Sequence, residues 1–294
     1  MTIMEITEVK RQLATNGYCI VENVLDEEEV HAALSAFQAW KNSSPQIAAI
    51  HSTVSPHGIF KHFEVGHQLH AWYVRTRTAV QDIFAGLWNT TSDNLAVSFD
   101  GTCWIPATWA KKNGCWTHTD QAPNKKGVAC YQGFVALTTN KERTLVVYEG
   151  SHLLHEQYMK DHCLTHTKNW QRIDEEYLNS ELLQLRRVLH VKAGSLVLWD
   201  SRTFHQNQYG VPGEERVVQY VCYLPRNNPG FSQRMQDKRK KYFEERRTTS
   251  HCPYPVHVNV TQPRSYGNEK LIINYDALQP PKLDHLIDDI QRIL

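Results

Sequence analysis

Apolar residues recur at helical spacing near both ends of the chain and in short, strand-like runs through its middle. Ile3, Ile6, Val9 and Leu13 share one face of a short amphipathic helix over residues 3–14. Gly17-Tyr-Cys-Ile-Val21 then reads as a strand. Asp26 is placed to cap a following helix whose first turn carries Glu27, Glu28 and Glu29, charges that suit the positive end of a helix dipole. Val30, Ala33, Leu34 and Phe37 give that helix one apolar face. From about residue 94 the runs shorten and turn residues divide them. Leu95–Phe99, Val128–Leu137, Leu145–Tyr148, Val188–Val191, Leu196–Trp199 and Val217–Leu224 predict strands. Gly101, Asn113-Gly114, Pro123-Asn124, Gly194, Gly210 and Pro212-Gly213 punctuate them. This pattern predicts an antiparallel sandwich or barrel over about 94–225, interrupted by a helix over 174–187. Leu283, Leu286, Ile287, Ile290 and Leu294 predict a closing amphipathic helix. With no internal repeat and no low-complexity linker, one domain over 1–294 with helical additions at both ends is expected.

Composition changes this picture little. Hydrophobic residues make up 41% of the 294, enough for a sizeable core. A formal net charge of +1 gives no whole-molecule field for polyanions or membranes. No stretch approaches the roughly 20 apolar residues of a membrane span, and MTIMEITEVKRQ lacks the apolar core of a secretion signal. The seven cysteines form no C-x-x-C pair and no zinc pattern, so reduced thiols and a cytoplasmic location are expected. The sequons at Asn42, Asn89 and Asn259 are then chance matches. Sixteen histidines make a search for metal ligands worthwhile.

Cys115-Trp-Thr-His118-Thr-Asp120-Gln contains His-x-Asp. In extended backbone, residues two apart project to the same face, so both side chains can reach one ion. Two imidazoles and one carboxylate on one octahedral face leave three positions open, two for a chelating 2-oxo acid and one for O2. His-x-Asp alone is weak, so a third ligand must accompany a cosubstrate site. Trp199-Asp-Ser-Arg-Thr-Phe-His205-Gln-Asn-Gln-Tyr-Gly-Val-Pro-Gly-Glu-Glu-Arg216 supplies both. If the Gly210/Pro212-Gly213 turn joins two antiparallel strands, His205 and Arg216 fall directly opposite, with Cβ atoms roughly 5 Å apart. A guanidinium there would take the far carboxylate of a dicarboxylate cosubstrate.

These residues resemble the phytanoyl-CoA dioxygenase-like family of Fe(II)/2-oxoglutarate oxygenases. The likeness begins at Gly17-Tyr-Cys-Ile-Val-Glu-Asn-Val-Leu-Asp-Glu-Glu-Glu-Val30. It continues through His118-x-Asp120, Gly150-Ser151-His152, Ala193-Gly194-Ser195-Leu196 and His205 to Arg216. It implies a mainly β, α+β chain: a double-stranded β-helix, or jelly-roll barrel, with supporting N-terminal, inserted and C-terminal helices. It assigns His118, Asp120 and His205 to Fe(II), and Arg216 to the C5 carboxylate of 2-oxoglutarate. Asn207 sits where the family often places a hydroxyl residue. Gln132 and Phe134, on the strand after His-x-Asp, are expected to line the same pocket. Ser98, Asp100 and Trp104 follow a strand that by the same likeness lines the pocket mouth, where a small-molecule substrate would be met. Halogenating relatives replace the carboxylate ligand with a small residue; Asp120 is present, which favours hydroxylation.

Arg202 reads either as a substrate contact or as a structural partner of Asp200, and the second reading is preferred. His51, His57, His62, His67 and His70 have no regular ligand spacing. His152 is expected to shape a turn, and His155, His162 and His166 to be solvated or capping. Residues 234–247 hold seven Lys/Arg against three Asp/Glu, which reads as a solvated helix face ahead of a nucleic-acid surface. The expected activity is 2-oxoglutarate-dependent hydroxylation with release of succinate and CO2. The rivals are desaturation or demethylation by the same triad, a non-catalytic metal-binding jelly-roll recognition protein, and a zinc hydrolase. Substrate identity and oligomeric state are not legible.

Overall fold

The computed structural model describes residues 4–294, so Ile3 of the first predicted helix lies outside the described residues, as does the side chain of Pro56. The helix runs over Ile6–Asn16 and stops at Gly17, whose φ of 81° and N–H bond to the Leu13 carbonyl make a left-handed C-cap. The next helix, Glu27–Asn42, starts from a capping box: the Asp26 carboxylate accepts from Glu29 N–H, and the Glu29 carboxylate accepts from Asp26 N–H.

Among the described residues the strands, in chain order, are Tyr18–Val21 (β1), Ile59–Phe60 (β2), Leu95–Val97 (β3), Thr102–Ile105 (β4), His118–Thr119 (β5) and Tyr131–Ala136 (β6), followed by Leu145–Tyr148 (β7), Gln171–Arg172 (β8), Arg186–Val188 (β9), Leu196–Asp200 (β10), His205–Asn207 (β11) and Arg216–Pro225 (β12). All recorded pairings are antiparallel. The chain divides into two compact units, Met1–Asn23 with Ile105–Arg216 and Val24–Trp104 with Val217–Leu294.

The first unit carries two stretches of sheet. In one, β10 lies between β1 and β6; in the other the order is β8-β5-β11-β7-β9. Strands β6, β7 and β10 are buried along nearly their whole length and pack on both faces, so their sequences read as continuous apolar runs. Arg143 is fully buried at the edge of this unit. Its guanidinium donates to the carbonyls of Pro106, Ala107, Trp109 and Val211, and so fixes the approach to β5 from one side.

Two sequence expectations are corrected here. The helix expected over 174–187 is a single short helix, Glu175–Ser180, followed by a 3-10 turn over Leu183–Leu185. The chain must leave the helix by Arg186 because Arg186–Val188 pairs with β7. The strand expected at Val188–Val191 accordingly shifts to Arg186–Val188, and Val191 keeps only an isolated bridge to Asn140.

The second unit joins helices Pro45–Val54, Leu69–Arg75, Thr78–Leu87, Gln233–Glu244 and Ile287–Ile293 to Glu27–Asn42, with β2, β3, β4 and β12. The basic 234–247 segment lies mainly on helix Gln233–Glu244. Arg239 there is fully buried, donating to the carbonyls of Val97, Pro253 and Leu294, and Arg246 pairs with Glu64 at 2.7 Å. Part of the basic run therefore holds the fold together, while Arg234, Lys238, Lys240 and Lys241 face solvent. Four histidines of this unit make individual hydrogen bonds and do not gather as ligands. His51, His62 and His67 each bond a backbone carbonyl, and His70 bonds the Thr102 hydroxyl at 3.0 Å. No helix among the described residues is long and apolar enough to cross a membrane.

Two stability predictions follow from these packings. At Gly17 an added Cβ would meet the His152 ring at 2.6 Å and the Thr203 hydroxyl at 2.8 Å at a left-handed φ, whereas at Gly213 (φ 103°) it would meet nothing. Gly17→Ala is expected to cost clearly more than the roughly 1–2 kcal/mol of left-handed strain that Gly213→Ala costs, as read by denaturant melts. Burial, and then the charge on Arg75, hold His70 down at about 3 against 6.5 in a free chain. The unfolded chain thus takes up a proton that the folded one refuses, and stability falls as pH drops from 6.5 towards 3. Between pH 7 and pH 5 the loss is about 2 kcal/mol from this group, and His70→Gln should remove that part of the slope.

Candidate metal centre

Strands β5 and β11 meet through one pair, with His118 directly opposite His205. Cross-strand partners share a face, so both imidazoles project together and their ring centroids are 4.4 Å apart. Asp120, two residues beyond His118, adds its carboxylate between them. One oxygen is 3.7 Å from His118 Nε2 and the other 3.4 Å from His205 Nε2. The three donor atoms lie within 4.8 Å of one another. Neighbouring donors on an octahedral ion stand about 3 Å apart, so this spacing fits one ion with modest closure.

The imidazoles are oriented from behind. His205 Nδ1 is 2.9 Å from the Thr203 carbonyl and His118 Nδ1 is 3.3 Å from the Trp116 carbonyl. A carbonyl can only accept, so each Nδ1 is the protonated nitrogen and each Nε2 keeps its lone pair for a metal. Asp120 is held through its backbone, whose N–H donates to the Ser201 carbonyl at 3.1 Å. On the other face of the sheet Gln206 ties together the two segments that carry His118 and His205. Its amide oxygen accepts from Trp116 N–H and the Thr117 hydroxyl, and its amide nitrogen donates to the Gly114 carbonyl.

The expected hairpin between His205 and Arg216 does not form. A strand has two edges, and both edges of β11 are taken, by β5 and by β7, where His205 pairs with Val147. Residues between β11 and β12 are drawn elsewhere. Glu214 accepts the N–H groups of Lys141, Glu142 and Arg143, and Gly213 N–H bonds to Ala107. Arg216 is nevertheless fully buried, with Nε donating to the Asn140 amide oxygen at 2.9 Å and its guanidinium 5.2 Å from the Phe134 ring centre. A chain of rings links it to the metal side: Phe134 lies 6.0 Å from Trp199, and Trp199 5.3 Å from His205.

Gln132 lies directly opposite Trp199 in the β6–β10 pairing, and Phe134 shares its face two residues on. Both Gln132 Nε2 and Trp199 Nε1 are buried donors without a protein partner. Two such donors side by side are costly unless something accepts from them. The backbone carbonyl of Asn207 accepts from the Trp116 indole at 2.9 Å.

Arg202 makes a two-pronged pair with Asp200, at 2.9 and 2.7 Å. Ser98, Asp100 and Trp104 belong to the second unit. Ser98 is fully buried, Trp104 stacks on His51 at 5.0 Å, and burial raises the Asp100 carboxyl above its ordinary range. His152 bonds the Ala14 carbonyl, far away in sequence, and His155, expected to be solvated or capping, is fully buried against the Gln121 carbonyl.

Asn140, Trp116, Trp170 and Trp199 escaped the sequence reading. Trp116 was accessible to it, since it stands two before His118 in extended chain. Asn140, in a turn, and Trp170, brought in by β8, carried no local signal.

Comparisons with known proteins bear on the family and the fold. A family model described as phytanoyl-CoA dioxygenase (PhyH) matches residues 13–208. "Ava biosynthesis cluster protein O" of Aspergillus versicolor is 30% identical over 220 residues, covering 70% of this chain and 70% of its own. Among solved structures, the epimerase SnoN in complex with Fe3+, alpha ketoglutarate and nogalamycin RO gives a TM-score of 0.54 at 17% identity, covering 75% of this chain and 83% of that one. EctD from S. alaskensis with 2-oxoglutarate and 5-hydroxyectoine gives 0.51 at 15%, covering 76% and 77%. The ThoJ–Ni complex, a non-heme monooxygenase, gives 0.53 at 14%, covering 97% and 93%. At these identities the structures establish the shared fold: antiparallel sheets with helices, of the jelly-roll type.

Metal binding is checked directly with Mn(II), by paramagnetic resonance or calorimetry. Asp120→Ala and His205→Ala should each weaken it at least 100-fold while the melting profile stays cooperative. Wild-type affinity in either variant would remove that side chain from the centre.

Proposed function

This chain belongs to the phytanoyl-CoA dioxygenase (PhyH) family, and on that premise we propose that it is an Fe(II)- and 2-oxoglutarate-dependent dioxygenase that hydroxylates a C–H bond of a small organic molecule. The observation that carries the proposal is the convergence of His118 Nε2, Asp120 and His205 Nε2 within 4.8 Å, with both Nδ1 atoms engaged from behind. Nitrogen and carboxylate donors in a two-to-one set suit iron with open positions better than a closed zinc site.

His118, Asp120 and His205 would hold the iron. When bound, it supplies the redox chemistry by which O2 and 2-oxoglutarate yield succinate, CO2 and an oxidised substrate. The rest is the work of this chain's own side chains. Arg216 receives the far carboxylate of 2-oxoglutarate, its guanidinium kept in place by Asn140 and by the Phe134 ring. Gln132 Nε2 and Trp199 Nε1, buried and unmatched within the protein, offer two further hydrogen bonds along the same cosubstrate. Asn207 closes the β11 side. Phe134 and Trp199 exclude water between the metal and the arginine, which strengthens each charged hydrogen bond there. Arg202, paired with Asp200, acts in folding, and Ser98, Asp100 and Trp104 are the residues that the family likeness offers for substrate contact. Reduced thiols at all seven cysteines support a reducing compartment, the cytoplasm.

Arg216→Ala should raise the KM for 2-oxoglutarate by about 10–100-fold, the worth of a buried charge-assisted hydrogen bond, measured as succinate formation. Arg216→Lys should recover part of the loss. An unchanged KM in the alanine variant would remove Arg216 from cosubstrate binding. With the substrate in hand, hydroxylation requires a product one oxygen heavier and labelled from O2; a product two hydrogens lighter would assign desaturation.

A further inference from the structure

Trp170 combines three features that packing alone does not require. Its indole lies 5.7 Å from the His118 imidazole with planes 30° apart, beside a metal-ligand candidate that is itself only 6% exposed. It is 49% exposed, and it is the sole tryptophan among the exposed large hydrophobic side chains of the described residues. Its backbone sits at φ 91°, a conformation that bulky L side chains rarely adopt. A turn needed only for chain reversal would place glycine or asparagine there.

The residue is not loose. On one side, the Asn169 side chain accepts from Ala122 N–H at 3.3 Å. On the other, Gln171 and Arg172 pair with Thr119 and His118 in β8–β5, and Arg172 donates to the Cys115 carbonyl at 2.8 Å. The strained indole is thus pinned on both flanks against the strand that carries His118. Trp116 stacks on the same imidazole at 4.8 Å and 21°. The His118 imidazole thus has two indoles stacked on it, and that of Trp170 retains exposed surface.

We infer that Trp170, stacked like Trp116 on His118, is a specificity-determining wall that stacks a flat, conjugated ring of the organic substrate beside the metal. Backbone strain held at a ligand-facing residue persists where the surrounding structure fixes it, and such strain gathers at ligand clamps. A broad exposed indole favours flat π-systems in offset stacking over saturated rings of equal size, which cannot lie as close to it. The inference rests on the oxygenase reading for the site's purpose, and its test separates the two.

The experiment uses the full chain loaded with Mn(II) and saturating 2-oxoglutarate, and titrates two neutral probes of matched skeleton: flat 2-naphthol and saturated 2-decalol. Calorimetry should give wild-type protein a preference for 2-naphthol on the order of tenfold. Trp170→Phe should keep a reduced preference. Trp170→Leu, apolar and non-aromatic, should bring it close to unity. Mn(II) and 2-oxoglutarate affinities should stay within about twofold in both variants, and their loss in His205→Ala or Arg216→Ala reports on the oxygenase reading independently. Absence of a preference in the wild type, or its full retention in a Trp170→Leu protein that melts cooperatively, would overturn the assignment.

Discussion

One cross-strand pair governs the site: His118 of β5 against His205 of β11. Side chains alternate across a strand, so a slip of one residue would turn His205 away and bring Gln206 to the metal face. Strands of two and three residues cannot secure that register by ladder hydrogen bonds alone. Gln206 helps to secure it, using its amide to hold Gly114, Trp116 and Thr117 on the opposite face. A side chain that never sees the metal therefore helps decide which side chains do.

The same economy of edges explains the position of Arg216. Because β5 and β7 occupy both sides of β11, the next strand cannot pair with β11, and its first residue is placed by other contacts. Arg216 is fully buried between Asn140 and Phe134. A buried guanidinium is costly unless its donors are met. Arg143, Arg239 and Arg216 show two ways of meeting them. The first two donate to several backbone carbonyls and serve as struts. Arg216 has an amide oxygen and a ring face, an environment that also suits an incoming carboxylate.

Aromatic rings form the medium of the site. Trp116 and Trp170 lie against His118, Trp199 against His205, and Phe134 joins Trp199 to Arg216. Rings of this size exclude water, lower the local dielectric and keep imidazoles from turning. They set a rigid frame in which small polar groups, such as Gln132 and the Trp199 N–H, retain unused hydrogen-bonding capacity.

The sequence by itself determined the three candidate metal ligands and much of the secondary structure. His-x-Asp in extended chain needs only the two-residue period to put both groups on one face, and the Asp26–Glu29 box and Gly17 cap are local chemistry. Apolar runs such as Leu145–Tyr148 were legible because burial on both faces leaves no polar alternation. Tertiary structure decided which strands pair. Strand β11 could have formed a hairpin with the chain that follows it, on local turn signals alone, and only the presence of β5 and β7 on its two edges prevents that. Asn140 and Trp170 were invisible for the same reason: their partners, Arg216 and His118, lie dozens of residues away, and no local pattern encodes a contact that exists only once the sheet has assembled.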